Sequence, residues 1–112
     1  SGFKEMQKLL SLKKLPTAIF VASDVVAFGA MDALKKRGMK IPKDIALVGF
    51  DNVNLSEYVD PPLTTVDLPG FEIGKNAANL LIDNIENNKN NNKKIILETH
   101  LIIRESCGCN LK

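Results

Sequence analysis

The chain has 112 residues, of which 45% are hydrophobic, 25% charged and 5% aromatic, and its formal net charge is +2. This apolar fraction is typical of one globular domain and excludes whole-chain disorder, while no apolar run approaches the roughly 20 residues that span a bilayer. The near balance of charges does not provide the basic surface of a nucleic-acid-binding region, so we expect any DNA contact to be made outside this chain.

The first part of the chain alternates helical and strand patterns. Apolar residues recur at helical spacing over about 3–13. The run 17–22 is continuously apolar and β-branched, which predicts a strand buried on both faces, as in a parallel sheet. Ser23 and Asp24 then provide an N-cap for a second helix, which runs to Arg37.

The second part continues this alternation with a buried strand, an irregular segment, a short strand, a helix, an Asn-rich segment and a last strand. In chain order these cover residues 45–50, 52–63, 64–66, 69–86, 86–94 and 95–103. The Asn-rich segment is predicted to be a flexible surface loop. Strands that alternate with helices predict an α/β fold with a parallel sheet, here a three-layer α/β/α arrangement.

Polar residues stand where the predicted strands end. Right-handed crossovers place the carboxyl ends of parallel strands at one edge, where open α/β sheets bind ligands. The residues expected to converge there are Ser23, Asp24, Asp51, Asn52 and Asp67. Asp24 and Asp67 could instead start helices, whereas no helical pattern follows Asp51. We therefore predict a small-molecule site formed by Ser23, Asp24, Asp51 and Asn52.

The helix that follows the first strand is apolar around most of its circumference, although a helix on a sheet needs only one apolar stripe. It carries Phe28, and the irregular segment after the second strand carries Leu55, Tyr58 and Val59. Two alternatives explain why this helix has more apolar surface than the sheet can cover. These four residues form one subunit interface, or the irregular segment folds over the helix within one chain.

The sequence offers little reactive chemistry. Cys107 and Cys109 are too few and too close for a four-ligand zinc site, and His100 is the only histidine. We expect reduced thiols and no metal or other cofactor. Since the chain has no Gly-rich phosphate loop, no catalytic triad and no acidic cluster of a phosphorylated receiver domain, we expect no enzyme. No secretory leader is seen, so a cytoplasmic location is expected.

Four segments resemble, in order, signatures of the lactose/galactose-repressor (LacI/GalR) family. They are PTAIFVASDVVAFGA at 16–30, IPKDIALVGFDN at 41–52, PLTTV at 62–66 and LIIRES at 101–106. The resemblance implies the C-terminal part of a type I periplasmic-binding-protein-like fold, in which two α/β subdomains close on a small molecule. It also implies a homodimer that binds operator DNA through an N-terminal domain outside this chain.

The resemblance also implies roles for particular residues. The aspartate of the family's GFDN stretch, here Asp51, commonly hydrogen-bonds the effector, and the position of Ser23 often contributes. Sugar-binding relatives often have Gln where Leu68 stands, so the effector class stays open between sugars and nucleosides or purines. The family's dimer contacts include the segments that carry Phe28 and Tyr58.

The resemblance divides the chain into three parts. Residues 1–68 correspond to the core of the second subdomain, 69–94 to a helix and loop of the first subdomain, and 95–112 to a return strand and tail. Because the helix at 69–86 lacks its sheet, its apolar side is predicted to fold back on this chain or to exchange with a neighbouring copy. The alternative function is a solute-binding protein of a transport system, which shares the fold.

Overall fold

The computed structural model describes residues 1–88 and 93–111. They form two compact units: unit 1 comprises Ser1–Asp67 with His100–Lys112, and unit 2 comprises Leu68–Thr99. The elements in chain order are α1 (Gly2–Leu10), β1 (Ala18–Phe20), α2 (Asp24–Lys36), β2 (Ala46–Asp51), a 3-10 helix (Asn54–Glu57), β3 (Thr64–Asp67), α3 (Gly70–Glu86) and β4 (His100–Ile102). The predicted alternation of strands and helices is confirmed.

The four strands form one sheet in the order β1-β2-β3-β4. The pairs β1/β2 and β2/β3 are parallel, which confirms the predicted α/β fold, but β4 pairs antiparallel with β3. The predictions that the last strand covers 95–103 and ends at the same edge as the others are wrong. Asp67, at the end of β3, pairs with His100, at the start of β4. Since the chain leaves and re-enters the sheet at facing residues, β4 has to run in the opposite direction.

On one face of the sheet of unit 1, α2 packs against β2, and α1 packs against α2. The core is aliphatic and consists of Met6, Leu10, Val21, Ala27, Ala30, Met31, Ala33, Leu34, Ile45, Leu47 and Leu63. On the other face Phe20 is 63% exposed and contacts the ring of Phe50 edge-on. The prediction that 17–22 is buried on both faces is therefore wrong, and the described residues of unit 1 do not form the third layer.

The ends of both helices of unit 1 have local causes. The helix predicted over 3–13 already ends at Leu10, where the Ser11 hydroxyl donates to the carbonyl of Lys8 at 2.6 Å. At the end of α2, Gly38 has a φ of 73°, and its N–H donates to the carbonyl of Lys35 at 3.0 Å. Glycine adopts this left-handed conformation without the steric penalty of a side chain, so α2 ends where the sequence predicts.

Unit 2 contains α3, which closely matches the helix predicted over 69–86. No residue of α3 is buried, and Ile73, Leu81 and Ile85 are 44%, 61% and 69% exposed. That the apolar side of this helix folds back on this chain or exchanges with a neighbouring copy stays a prediction. No helix in the described residues is long and apolar enough to cross a membrane. The predicted Asn-rich loop includes 89–92, which lie outside the described residues.

Candidate functional site

The carboxyl edge of the parallel strands brings three of the predicted polar residues together, Asp51, Asn52 and Asp67. Asp51 ends β2 and is in register with Asp67, which ends β3. The side-chain amide of Asn52 donates to Oδ1 of Asp67 at 2.8 Å. Ser23 follows β1 and is the N-cap residue of α2. This edge is where an open α/β sheet binds its ligand.

Asp51 has unused hydrogen-bonding capacity at a strained backbone position. Its φ is 116° and its side chain is half-buried. Within residues 1–88 and 93–111 the Asp51 carboxylate makes no hydrogen bond or ion pair, and the Ser23 hydroxyl makes no hydrogen bond either. A non-glycine residue in an unfavourable backbone region costs about 1–3 kcal/mol, and such residues cluster at functional sites. The side chains of Asp51 and Ser23 are therefore two groups of this edge that have no hydrogen-bond partner within the described residues.

Asn52, in contrast, uses its hydrogen-bonding groups within the protein. Its backbone N–H donates to Oγ1 of Thr65 at 3.3 Å, and its side-chain amide donates to Asp67. Its Oδ1 accepts from Nη2 of Arg104 at 2.8 Å, and Nη1 of Arg104 donates to the carbonyl of Leu63, also at 2.8 Å. The second amide hydrogen of Asn52 and the second lone pair of its Oδ1 make no bond in the described residues, so the predicted ligand contact of Asn52 stays a prediction. Asn52 therefore connects the carboxyl edge to the C-terminal segment.

The Asp24 carboxylate is completely buried. Its Oδ2 accepts from the backbone N–H of Val53 at 3.0 Å and from the hydroxyl of Ser56 at 2.6 Å. Its Oδ1 accepts from the hydroxyl of Thr65 at 2.6 Å. Asp24 lies in the first turn of α2 behind the N-cap Ser23, so the prediction that Asp24 caps the helix is wrong. A direct ligand contact predicted for Asp24 would require these buried bonds to break.

The residues predicted for a subunit interface lie on the surface of unit 1. Phe28 and Val59 are half-buried and line one shallow pocket of about 140 Å³. Leu55, in the 3-10 helix, and Tyr58, just after it, are 54% and 76% exposed. The segment after β2 therefore does pack on α2 within one chain, at Val59, while Leu55 and Tyr58 leave apolar surface uncovered.

The two cysteines are free thiols that lie against one backbone carbonyl. The Sγ atoms of Cys107 and Cys109 are 3.9 Å and 3.2 Å from the carbonyl oxygen of Arg104. Burial would raise the pKa of Cys107, but hydrogen bonds from Thr64 and Cys109 lower this pKa below its usual value. Burial and the hydrogen bond with Cys107 raise the pKa of Cys109. Among the described residues, no three His, Cys, Asp or Glu side chains come together as in a metal site.

The parallel sheet, its covering helices and its polar carboxyl edge define the class: a periplasmic binding protein-like domain. Residues 2–107 match the family model with the description "Periplasmic binding protein-like domain", and the chain belongs to this family. Within it, the chain is similar to the C-terminal part of LacI-type transcriptional regulators.

Two curated relatives show this similarity. The HTH-type transcriptional repressor CytR of Escherichia coli (strain K12) is 43% identical over 106 residues, which are 95% of this chain and 31% of the repressor. The HTH-type transcriptional repressor PurR of Actinobacillus pleuropneumoniae serotype 3 (strain JL03) is 41% identical over 108 residues, which are 95% of this chain and 32% of the repressor. The chain thus spans about a third of the length of these relatives.

Solved structures agree with the sequence comparison. A putative transcriptional regulator LacI from Bacillus cereus subsp. cytotoxis NVH 391-98 has a TM-score of 0.91 at 39% identity, over 95% of this chain and 38% of that chain. The complex of the transcriptional regulator CelR with cellobiose has a TM-score of 0.88 at 36% identity, over 95% of this chain and 32% of that chain. A LacI family transcriptional regulator from Enterococcus faecium with bound ribose has a TM-score of 0.82 at 33% identity, over 94% of this chain and 38% of that chain.

Proposed function

We propose that this chain is the effector-sensing and dimerising part of a LacI-type transcription regulator. The free carboxylate of Asp51 at the carboxyl edge of the sheet is the observation that carries the proposal. The similarity to the repressors CytR and PurR supports a regulator rather than a transport protein or an enzyme. A cytoplasmic location and operator binding through a domain outside this chain are part of the proposal, and the net charge of +2 agrees with the latter.

The chemistry of the two free groups favours a hydroxyl-rich effector. An ionised carboxylate only accepts hydrogen bonds, and its two oxygens can accept from two neighbouring hydroxyl groups of one ligand. Sugars and the ribose part of nucleosides both present such pairs of hydroxyls, and two of the similar solved structures contain cellobiose and ribose. In this proposal the Asp51 carboxylate accepts from the ligand, the Ser23 hydroxyl adds one donor or acceptor, and the Asn52 side chain offers its second amide hydrogen.

The proposed regulation follows from linked equilibria. In this proposal the ligand binds in a cleft between two subdomains, as the resemblance to the family implies. A ligand that contacts both subdomains binds better to one relative orientation, and therefore shifts the population towards it. If that orientation has a different operator affinity, ligand binding changes the affinity for DNA. DNA binding then changes the affinity for the ligand by the same factor.

Homodimerisation through Phe28, Leu55, Tyr58 and Val59 completes the proposal. Leu55 and Tyr58 provide the exposed apolar area, and Phe28 and Val59 line a shallow pocket next to it that a partner side chain can enter. Large exposed apolar side chains grouped on one surface are typical of protein contacts. Three of these residues, Leu55, Tyr58 and Val59, lie on the segment that follows Asp51, so that segment links the proposed ligand site to the proposed interface.

The test is isothermal titration of the full-length protein with D-ribose, cellobiose, cytidine and adenosine, followed by the Asp51→Ala variant. Losing a charge-assisted hydrogen bond costs about 1.5–3 kcal/mol, so we expect roughly a tenfold to a hundredfold rise in Kd. Asp44→Ala, which removes an exposed carboxylate before β2, should bind as the wild type does. Unchanged affinity in Asp51→Ala would exclude Asp51 as a ligand contact, and operator binding that no effector alters would argue against a regulator.

A further inference from the structure

One buried carboxylate holds the segment that directly follows Asp51. Oδ2 of Asp24 accepts from the N–H of Val53 and the hydroxyl of Ser56, so it binds two points of this segment. Oδ1 accepts from the hydroxyl of Thr65, and the same hydroxyl oxygen accepts from the N–H of Asn52. Asp24 therefore restrains Asn52, Val53 and Ser56, directly or through Thr65.

The burial of Asp24 is costly, and the surrounding residues offset the cost. The carboxylate forms no salt bridge in the described part of the chain, and burying an unpaired charge is unfavourable unless hydrogen bonds replace its hydration. Three donors and the positive end of the α2 dipole provide this compensation. Gly49 leaves the necessary space, because a Cβ atom there would overlap Oδ1 of Asp24.

The restrained segment begins at two residues with a positive φ. Asp51 and Asn52 have φ values of 116° and 54°. Strained residues keep such conformations only where several surrounding contacts fix them. The bonds from Asp24 and Thr65 are the contacts that fix the chain just beyond Asp51, at the N–H groups of Asn52 and Val53.

We propose that Asp24 is a positioning residue for ligand binding at Asp51. Asp24 touches no ligand itself; it holds the backbone after Asp51 in its strained conformation, and this sets the direction of the free Asp51 carboxylate. Without the restraint the backbone relaxes, and the binding energy of the ligand has to restore it. The inference rests on the proposed role of Asp51 in the ligand site.

The matched variants Thr65→Val and Thr65→Ser test the restraint in the full-length protein. Valine has nearly the shape of threonine but lacks the hydroxyl that joins Asp24 to Asn52, whereas serine keeps the hydroxyl. Hydrogen–deuterium exchange of peptides covering 51–58 needs no ligand. We expect about tenfold faster exchange there in Thr65→Val, near-normal exchange in Thr65→Ser, and unchanged exchange in α2 for both. Asp24→Asn should show the same faster exchange at 51–58 as Thr65→Val, and Asp44→Asn, its control, should exchange like the wild type.

Titration with D-ribose and cytidine then shows whether the restraint by Asp24 affects ligand affinity or only the structure of the segment. For the compound that the wild type binds, we expect about a tenfold loss of affinity in Thr65→Val and recovery in Thr65→Ser. Unchanged exchange at 51–58 in Thr65→Val overturns the restraint. Faster exchange with wild-type affinity overturns the positioning role. If Asp51→Ala binds normally, the proposed function fails instead, and the exchange result still decides whether Asp24 restrains the segment.

Discussion

The strained backbone at Asp51 predicts an unusual effect of glycine. Asp51→Gly should unfold at higher denaturant concentration than Asp51→Ala, although neither variant has the carboxylate. Alanine keeps the cost of a φ near 116°, about 1–3 kcal/mol, whereas glycine adopts this φ freely. Glycine also loses about 0.5–1 kcal/mol more backbone entropy on folding. The difference leaves Asp51→Gly more stable by about 1 kcal/mol.

Urea unfolding of both full-length variants, followed by circular dichroism, measures this difference. A stability difference of 1 kcal/mol shifts the urea midpoint by about 0.3–1 M, because m is about 1–3 kcal/mol/M in urea. The pair Asp44→Gly and Asp44→Ala is the control, because Asp44 has no positive φ, and there glycine should be the less stable residue. If Asp51→Gly is also less stable than Asp51→Ala, the backbone at Asp51 is not strained and the reasoning fails.

Three other substitutions test the interface and the packing. Phe28→Glu should weaken dimerisation at least about tenfold in analytical ultracentrifugation, because a charge would enter an apolar contact. Gly49→Ala should destabilise the protein by about 1–3 kcal/mol in urea unfolding, because the new methyl group displaces the carboxylate of Asp24. Ser106→Ala should cost about 1–3 kcal/mol in the same assay, because it leaves the buried N–H of Thr64 without an acceptor.

Each of these substitutions has a control at an exposed or open position. Leu12→Glu places a charge on another exposed apolar residue, Gly74→Ala adds a methyl group where no atom lies within 4 Å, and Ser11→Ala removes an exposed hydroxyl. A dimer of Phe28→Glu as tight as the wild type would exclude this surface as the interface. Equal stability of Gly49→Ala and Gly74→Ala would contradict the close packing around Asp24.

The chain order and the local periodicity determine much of this protein. They predict the alternating strands and helices, the parallel pairing of the first three strands and the position of Asp51 at their carboxyl edge. These features follow from short-range rules: side-chain spacing distinguishes helix from strand, and right-handed crossovers align the parallel strands. The motifs carried by these elements are sufficient to recognise the family.

The tertiary structure alone decided which polar groups of the edge are free. The sequence predicts Asp24, Asp51 and Asn52 together as ligand contacts. The partners of Asp24, however, lie 29 to 41 residues away, and Arg104 donates to Asn52 across 52 residues. The reversed direction of β4 also depends on a distant pairing, between Asp67 and His100. Local patterns do not contain such contacts, because only the closed sheet brings these residues within hydrogen-bonding distance.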